Sequence, residues 1–223
     1  MSNFFQNSDL SLEKAEKIVS DTLSKCDDGE LYLEDTKSEA IVLDDNKIKD
    51  SDYNSDLGYG FRAVNGDTVA YSHSNEISEK SLLNSSKSLK SSLLNTNGVY
   101  NGEIKKTNQR FYNDIDPLNE KALKDKIKIL NQINEYSRSI DGTVKQVTAN
   151  FLAERKNIEI LRCGGELLKD IRPLVRINVS IMVEKNGRKE TGVFGIGGRQ
   201  DYDEYLKNDN WKKVCDEAFR IAS

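Results

Sequence analysis

The feature that most constrains the fold is a run of alternating apolar and polar residues that begins at Val175. Apolar side chains occupy the odd positions from Val175 to Val183, and most of the even positions between them are polar. This period of two predicts a β-strand with one buried and one solvated face. Asn186-Gly187 follows, a pair that favours a tight type I′ turn because both central residues of that turn need positive φ. The segment therefore predicts an antiparallel hairpin.

The return strand of this hairpin is rich in glycine. Four glycines fall within a short stretch, at Gly192, Gly195, Gly197 and Gly198. Glycine weakens a strand, so this density indicates a bulge, a bend or backbone that lies close to another group. Two interpretations follow: close packing within the protein, or a backbone platform for an extended peptide or a partner subunit.

Arginine accompanies glycine in two places, since Arg62 follows the segment GYGF and Arg199 follows the segment GIGG. Neither segment fits the G-x-G-x-x-G pattern of a dinucleotide site. Arg172 and Arg176 share one face of the predicted strand, where they can hold a carboxylate; structural ion pairing is the alternative. The candidate peptide- or partner-binding residues are Arg62, Arg172, Arg176, Gly195, Gly197, Gly198 and Arg199.

The chain as a whole predicts an α+β fold. In the first part of the chain, the patterns predict a helix capped by Ser11, five short strands between residues 30 and 73, and a helix from Ile77-Ser78. In the second part they predict a helix from Asp116-Pro117 to about Arg138, strands near 143–152 and 156–163, the hairpin, and a final helix capped near Asn208 or Asp209. The first strands are too close in sequence for crossover helices. We therefore expect antiparallel sheet flanked by helices.

The order helix, antiparallel strands, helix occurs twice, which makes a duplicated helix–meander–helix unit one interpretation of the layout. We expect a first α+β unit at residues 1–96, a linker or surface loop at 97–115 and a second unit at 116–223. The last helix is amphipathic up to the final residue, and no Gly, Asn or Pro follows it. We therefore also expect the natural chain to continue.

Residue types that carry metal and nucleophilic chemistry are scarce. His73 is the only histidine, so a zinc site built on two histidines cannot form within one chain. A Ser–His–Asp triad would need His73, and a surface or sheet-edge histidine is the alternative. Cys26 and Cys215 fall on apolar helix stripes, and Cys163 precedes a Gly-Gly turn. We expect no catalytic residue, no metal ligand and no cofactor in this chain.

Charge and hydropathy argue against two classes of partner. Lys+Arg number 33 and Asp+Glu 37, which gives a net charge of −4 spread along the sequence and argues against nucleic-acid binding. No apolar run approaches the roughly 18 residues of a membrane span, and the N-terminus lacks a secretion signal. Three cysteines without a C-x-x-C pair are typical of a reduced cytoplasmic protein.

Two segments resemble a known family. Residues 28–78, which begin DGELYLED, are similar to the N-terminal region of the TldD/PmbA family, zinc metallopeptidases once called modulators of DNA gyrase. Residues 144–199, which begin VKQVTANF, resemble the TldD branch of that family, and RPLVR and the final GGR are their most specific parts. The two segments follow each other in the family's order and span the chain from residue 28 to residue 199.

The resemblance implies a larger enzyme than this sequence. Members pair with a PmbA/TldE-type subunit and hydrolyse unfolded or leader peptides at a zinc held by a helical HExxxH motif and a later cysteine. Both belong to the C-terminal half of the family, and this sequence contains no HExxxH. The resemblance therefore implies an inactive N-terminal domain that covers the peptide cleft and part of a hetero- or homodimer interface. A stand-alone peptide- or partner-binding remnant of a split or decayed gene is the alternative.

Overall fold

The computed structural model describes residues 4–6, 8–93, 98–99 and 112–223. Its helices and strands are, in chain order, α1 (Leu12–Leu23), β1 (Asp28–Asp44), β2 (Lys47–Asn65), β3 (Thr68–Ser74), α2 (Glu79–Ser92), α3 (Leu123–Ile140), β4 (Val144–Arg162), β5 (Leu167–Lys185), β6 (Arg188–Gly198), α4 (Tyr202–Leu206) and α5 (Asn210–Ala222). Among these residues, the order of one helix, three strands and then helix occurs twice, from α1 to α2 and from α3 to α5.

The described strands form one sheet in the order β3-β2-β1-β4-β5-β6. β2 and β3 pair in antiparallel register along residues 59–65, and β5 and β6 do so along residues 175–185. Strands that follow one another in the chain are neighbours within each half of the order, as in a meander. The predicted α+β class, an antiparallel sheet flanked by helices, is confirmed.

The strands are fewer and longer than the sequence patterns predict. β1 and β2 together replace the first four of the five predicted short strands, and β4 unites the two predicted near 143–152 and 156–163. The prediction is wrong there because the polar stretches inside these strands keep an extended backbone. The true turn between β1 and β2 has positive φ, 49° at Asp45 and 71° at Asn46.

Three of the four predicted helices begin where the sequence places them. Ser11 and Ser78 are the N-cap residues of α1 and α2, and their side chains accept backbone hydrogen bonds from the first turn. Asp209 is the N-cap residue of α5, at one of the two predicted positions. The short helix α4, which Asp201 caps, is an element that the sequence patterns do not predict.

The helix α3 departs from its predicted start at Asp116-Pro117. Asp116 accepts a hydrogen bond from the backbone N–H of Leu118 in a turn, and the helix begins only at Leu123. Leu123, the first residue of this helix, is 48% exposed although it is apolar. The buried stripe of α3 consists of Lys126, Leu130, Ile133, Asn134 and Ser137. Its polar members escape a prediction that uses apolar spacing alone.

The chain divides into two compact units, each assembled from three segments. Unit 1 comprises Met1–Thr36, Ser55–Gln109 and Lys156–Ile171, and unit 2 comprises Lys37–Asn54, Arg110–Arg155 and Arg172–Ser223. The long strands contribute residues to both units, which a division in chain order does not anticipate. The predicted linker at 97–115 falls largely outside the described residues, and the predicted boundaries stay a prediction.

Each unit has its own apolar core. In unit 1, α2 packs against α1 and β3, and Val19, Leu31 and Phe61 are fully buried. In unit 2, α5 packs against β6 and α3. The odd positions of β5 from Val175 to Val183 are buried in that second core, as their alternation predicts.

Candidate functional site

The strand β6 lies at one edge of the described sheet, and two of its glycines lie against helices. A side chain at Gly192 would overlap the α5 backbone at Ala218 and Ala222, and one at Gly198 would overlap the hydroxyl group of Tyr205. These two glycines therefore allow the helices to approach the strand closely, as the packing interpretation holds.

Gly195 and Gly197 lie between these two glycines in the sequence, opposite Asn178 and Arg176 of β5. A Cβ atom at either glycine would come under 3.0 Å from β5, at the side chain of Asn178 or the backbone of Arg176. Gly197 is exposed and Gly195 half-buried. The backbone of Gly197 is left as a bare strip beside Arg176, whereas the side chain of Asn178 lies over Gly195.

A chain of side-chain hydrogen bonds orients Arg176 beside this strip. Its Nε donates to Oδ1 of Asn178 at 2.6 Å, and Nδ2 of Asn178 donates to Oδ1 of Asn150 on β4 at 2.8 Å. Arg176 is exposed, and its two Nη atoms have no hydrogen-bond partner among the described residues. An arginine held this way presents N–H donors that suit a carboxylate.

Arg199 follows the end of β6 and lines a cleft of about 400 Å³. Its Nη1 donates to the carbonyl oxygen of Pro173 at 3.2 Å, and its guanidinium lies 5.6 Å from the ring centroid of Tyr112. Asp201 and Glu204 line the same cleft. Because the cleft carries both signs of charge, Arg176 is the better candidate for binding an anionic group.

The other two predicted arginines have different surroundings. Arg172 is half-buried on β5. Arg62 lies on β2 in unit 1, where it donates two hydrogen bonds of 2.7 Å to the carboxylate of Glu30 and one of 2.9 Å to Asp28. Hydrogen bonding to Glu30 raises the pKa of Arg62. Asp28 also accepts from Arg162 at 2.7 Å. This geometry favours a structural ion-pair role for Arg62 over binding of a peptide or partner.

Unit 2 also contains a buried cation that the sequence analysis missed. Lys126 is 0% exposed, and its Nζ donates to the carboxylate of Glu39 at 2.8 and 3.1 Å and to the carbonyl oxygen of Leu118 at 2.9 Å. The ring of buried Tyr202 lies 5.7 Å away, and burial raises the pKa of that phenol. The sequence signal for its burial is its position four residues before Leu130, which places both side chains on the same face of the helix. These hydrogen bonds connect α3 to β1, through Glu39, and to the turn that precedes α3, through Leu118.

Groups suited to metal or nucleophilic chemistry are dispersed. His73 lies on β3 with its ring stacked at 6.0 Å from that of Tyr71. Cys26 and Cys215 are buried and Cys163 is partly exposed, all as free thiols, and burial raises the pKa of each, to about 11 for Cys215. Within the described ranges, no group of three or more His, Cys, Asp or Glu side chains can hold a metal ion. The zinc that the resemblance implies finds no fitting ligand set there.

Among the helices that the structure describes, none is both long and apolar enough to cross a membrane.

Comparison with known proteins settles the family. Models described as PmbA/TldA metallopeptidase domain 1 and PmbA/TldA metallopeptidase central domain match residues 29–92 and 116–223. The chain belongs to the PmbA/TldD metallopeptidase family. Its curated relatives include the metalloprotease TldD homologs of Buchnera aphidicola (subsp. Acyrthosiphon pisum), 34% identical over 206 residues, and of Haemophilus influenzae, 30% identical over 184 residues. The predicted resemblance is confirmed.

These alignments cover 88% and 81% of this chain but 42% and 38% of the two relatives. The chain thus spans less than half the length of these PmbA/TldD family members. Two solved structures resemble its fold: a candidate modulator of DNA gyrase from Bacteroides thetaiotaomicron (TM-score 0.73, 12% identity, 93% of this chain and 49% of that one) and TldE from Thermococcus kodakarensis (TM-score 0.64, 12% identity, 94% and 46%).

Proposed function

We propose that this chain is the peptide- and partner-binding part of a TldD-type zinc metalloprotease and has no peptidase activity alone. The complete enzyme hydrolyses unfolded or leader peptides together with a PmbA/TldE-type subunit. Its zinc is held by residues outside this sequence. Free thiols at all three cysteines favour a cytoplasmic location. The family models, the TldD relatives and the fold shared with a TldE support this assignment.

The observation that carries the proposal is the single histidine. A helical HExxxH site needs two histidines as metal ligands and a glutamate that activates the bound water. His73 is the only histidine in 223 residues, and it lies on a strand. The chain can therefore contribute to substrate or subunit binding but cannot assemble that catalytic site.

The exposed edge of β6 supports the binding role. An edge strand presents backbone N–H and C=O groups with which an extended peptide or a partner strand can pair. Gly195 and Gly197 add no side chain to this edge, and Arg176 and Arg199 lie beside it. A mobile unfolded substrate and a folded subunit both fit such a surface.

A cleavage assay tests the absence of activity. The purified chain is incubated with an unfolded, fluorescence-quenched peptide and micromolar zinc, with and without a chelator. We expect no cleavage above the buffer control under either condition. Chelator-sensitive cleavage by this chain alone would disprove the proposal.

Charge reversal tests the surface role. We expect Arg172→Glu, Arg176→Glu and Arg199→Glu together to weaken binding of a TldE-type subunit or an unfolded peptide while urea unfolding stays cooperative. Arg188→Glu is the matched control, because Arg188 is an exposed arginine at the far end of β6. Loss of cooperative unfolding in the triple variant would instead show that these arginines stabilise the fold.

A stand-alone binding protein is the second candidate, and the separate apolar core of each unit favours it. Such a protein would bind extended peptides or a subunit without belonging to a larger chain. The intact mass of the protein from its source cells separates the candidates. A mass near 25.2 kDa supports the stand-alone protein, and a mass about twice that supports the complete enzyme.

A further inference from the structure

We propose that Arg176 selects an acidic side chain in an extended peptide that pairs with β6, the edge strand of the described sheet. The inference rests on the proposed peptide-binding role of this edge and adds the chemical class of residue that the edge prefers. The ligand is a carboxylate, and Arg176 is the group that contacts it.

The geometry of Arg176 distinguishes it from an ordinary surface arginine. An unrestrained arginine loses considerable rotamer entropy when it binds a ligand. Here the bond from Nε to Asn178 fixes the side chain, and Asn178 is itself fixed by Asn150. Nη1 and Nη2 remain available to donate to a carboxylate, the arrangement that gives arginine its strongest contacts. Asn178 is therefore a positioning residue.

The glycines provide the route by which a peptide side chain reaches Arg176. A strand added to the edge of β6 would lie two strand spacings from β5, roughly 10 Å. Side chains of β6 would normally fill the space between. Gly197, opposite Arg176, is exposed and adds no side chain to this face, whereas the side chain of Asn178 lies over Gly195. A long acidic side chain and Arg176 can then approach each other across the backbone of Gly197.

Charge complementarity decides the occupant. Among the described residues, no carboxylate is paired with Arg176, and the next pair on the same face, Ser180 and Val193, is uncharged. A glutamate side chain would therefore find an unpaired cation, whereas a lysine would be repelled. We assign the carboxylate to a side chain because a peptide that continues past Gly197 keeps its backbone pairing along the whole of β6.

The test uses three fluorescein-labelled nonapeptides of alternating Thr and Val that differ in the central residue or in the C-terminal group. One has a central Glu and an amidated end, one a central Gln and an amidated end, and one a central Gln and a free carboxyl end. Fluorescence anisotropy with the full chain measures their dissociation constants. We expect the Glu peptide to bind about fivefold more tightly than either Gln peptide, as one exposed charge-assisted contact provides.

Variants assign the preference to Arg176. We expect Arg176→Gln to abolish the ratio between the Glu and Gln peptides, Asn178→Ala to reduce it, and Arg188→Gln to leave it unchanged. Equal binding of all three peptides to the unmodified chain would overturn this inference and leave the proposed peptide-binding role standing. Tight binding of the free-carboxyl Gln peptide would overturn the side-chain assignment. If no peptide binds, the proposed peptide-binding role fails, and this inference fails with it.

Discussion

Lys126 is a buried, ion-paired residue of unit 2 on which we expect stability to depend. Its ammonium group is fully buried between Glu39, the carbonyl oxygen of Leu118 and the ring of Tyr202. We expect Lys126→Ala to lower the free energy of unfolding by about 3–5 kcal/mol, because it leaves the half-buried carboxylate of Glu39 without a partner. Urea denaturation measures the loss.

Two controls accompany that measurement. Lys126→Met combined with Glu39→Leu should cost less than Lys126→Ala, since it removes both charges and keeps apolar volume. Lys14→Ala breaks an exposed pair with Glu79 and should change stability little. A Lys126→Ala variant as stable as the unmodified chain would contradict the role assigned to this lysine.

Gly192 and Gly142 form a matched pair for the packing interpretation of the glycines. A methyl group at Gly192 would overlap the backbone of α5, whereas Gly142 has nothing within 4 Å of an added Cβ atom. We expect Gly192→Ala to cost about 2 kcal/mol or more by overpacking. Gly142→Ala should be neutral or stabilise by up to ~1 kcal/mol. Thermal unfolding compares the two, and equal effects would show that α5 does not approach β6 as closely as described.

The three thiols should differ in reactivity. Burial raises the pKa of Cys215 to about 11, so this thiol stays protonated at neutral pH and its thiolate fraction grows only as pH approaches that value. Cys163 is partly exposed. We expect a thiol reagent at pH 8 to label Cys163 first, and Cys26 and Cys215 only on unfolding. Peptide mapping by mass spectrometry identifies the labelled residues, and rapid labelling of Cys215 would contradict its buried position.

At the scale of elements, the turn between β5 and β6 offers a direct test. Asn186 and Gly187 have φ of 54° and 78°, the left-handed pair that the sequence predicts. We expect Asn186→Ala to cost about 1 kcal/mol, because alanine lacks the short polar side chain that lets asparagine adopt the left-handed conformation, and Asn186→Gly to cost much less. Urea denaturation distinguishes the two. Equal stability of both variants would mean that the turn does not constrain the hairpin.

Elements were predictable where their cause is local. The caps at Ser11 and Ser78 and the turn at Asn186-Gly187 each act within three or four residues, so the sequence displays them. The start of α3 was not predictable, because Asp116 can cap a helix or close a turn with equal local chemistry. The strand lengths were missed for a related reason. An extended polar stretch is stabilised by its neighbours in the sheet, which the local pattern does not contain.

At the scale of the whole molecule, the candidate site also has features with local causes, which the sequence predicts, and features with long-range causes, which it does not. Alternation along β5 correctly placed Arg176 on the polar face, and glycine density correctly indicated the close packing at Gly192 and Gly198. The contacts that give these residues their properties are long-range. Asn178 bonds Asn150 across 28 positions of sequence, and Lys126 bonds Glu39 across 87. No periodicity encodes such pairs. Family membership, in contrast, follows from the sequence at both matched segments.

The central claim is that this chain binds a peptide or a partner subunit and does not hold the catalytic metal of a TldD-type enzyme. Equilibrium dialysis of the folded, purified chain against micromolar zinc, followed by elemental analysis, tests the claim most directly. We expect zinc well below one equivalent per chain, and the same low value for a His73→Ala variant. One tightly bound zinc per chain, lost in the His73→Ala variant, would contradict the account, because it would place a metal centre inside these 223 residues.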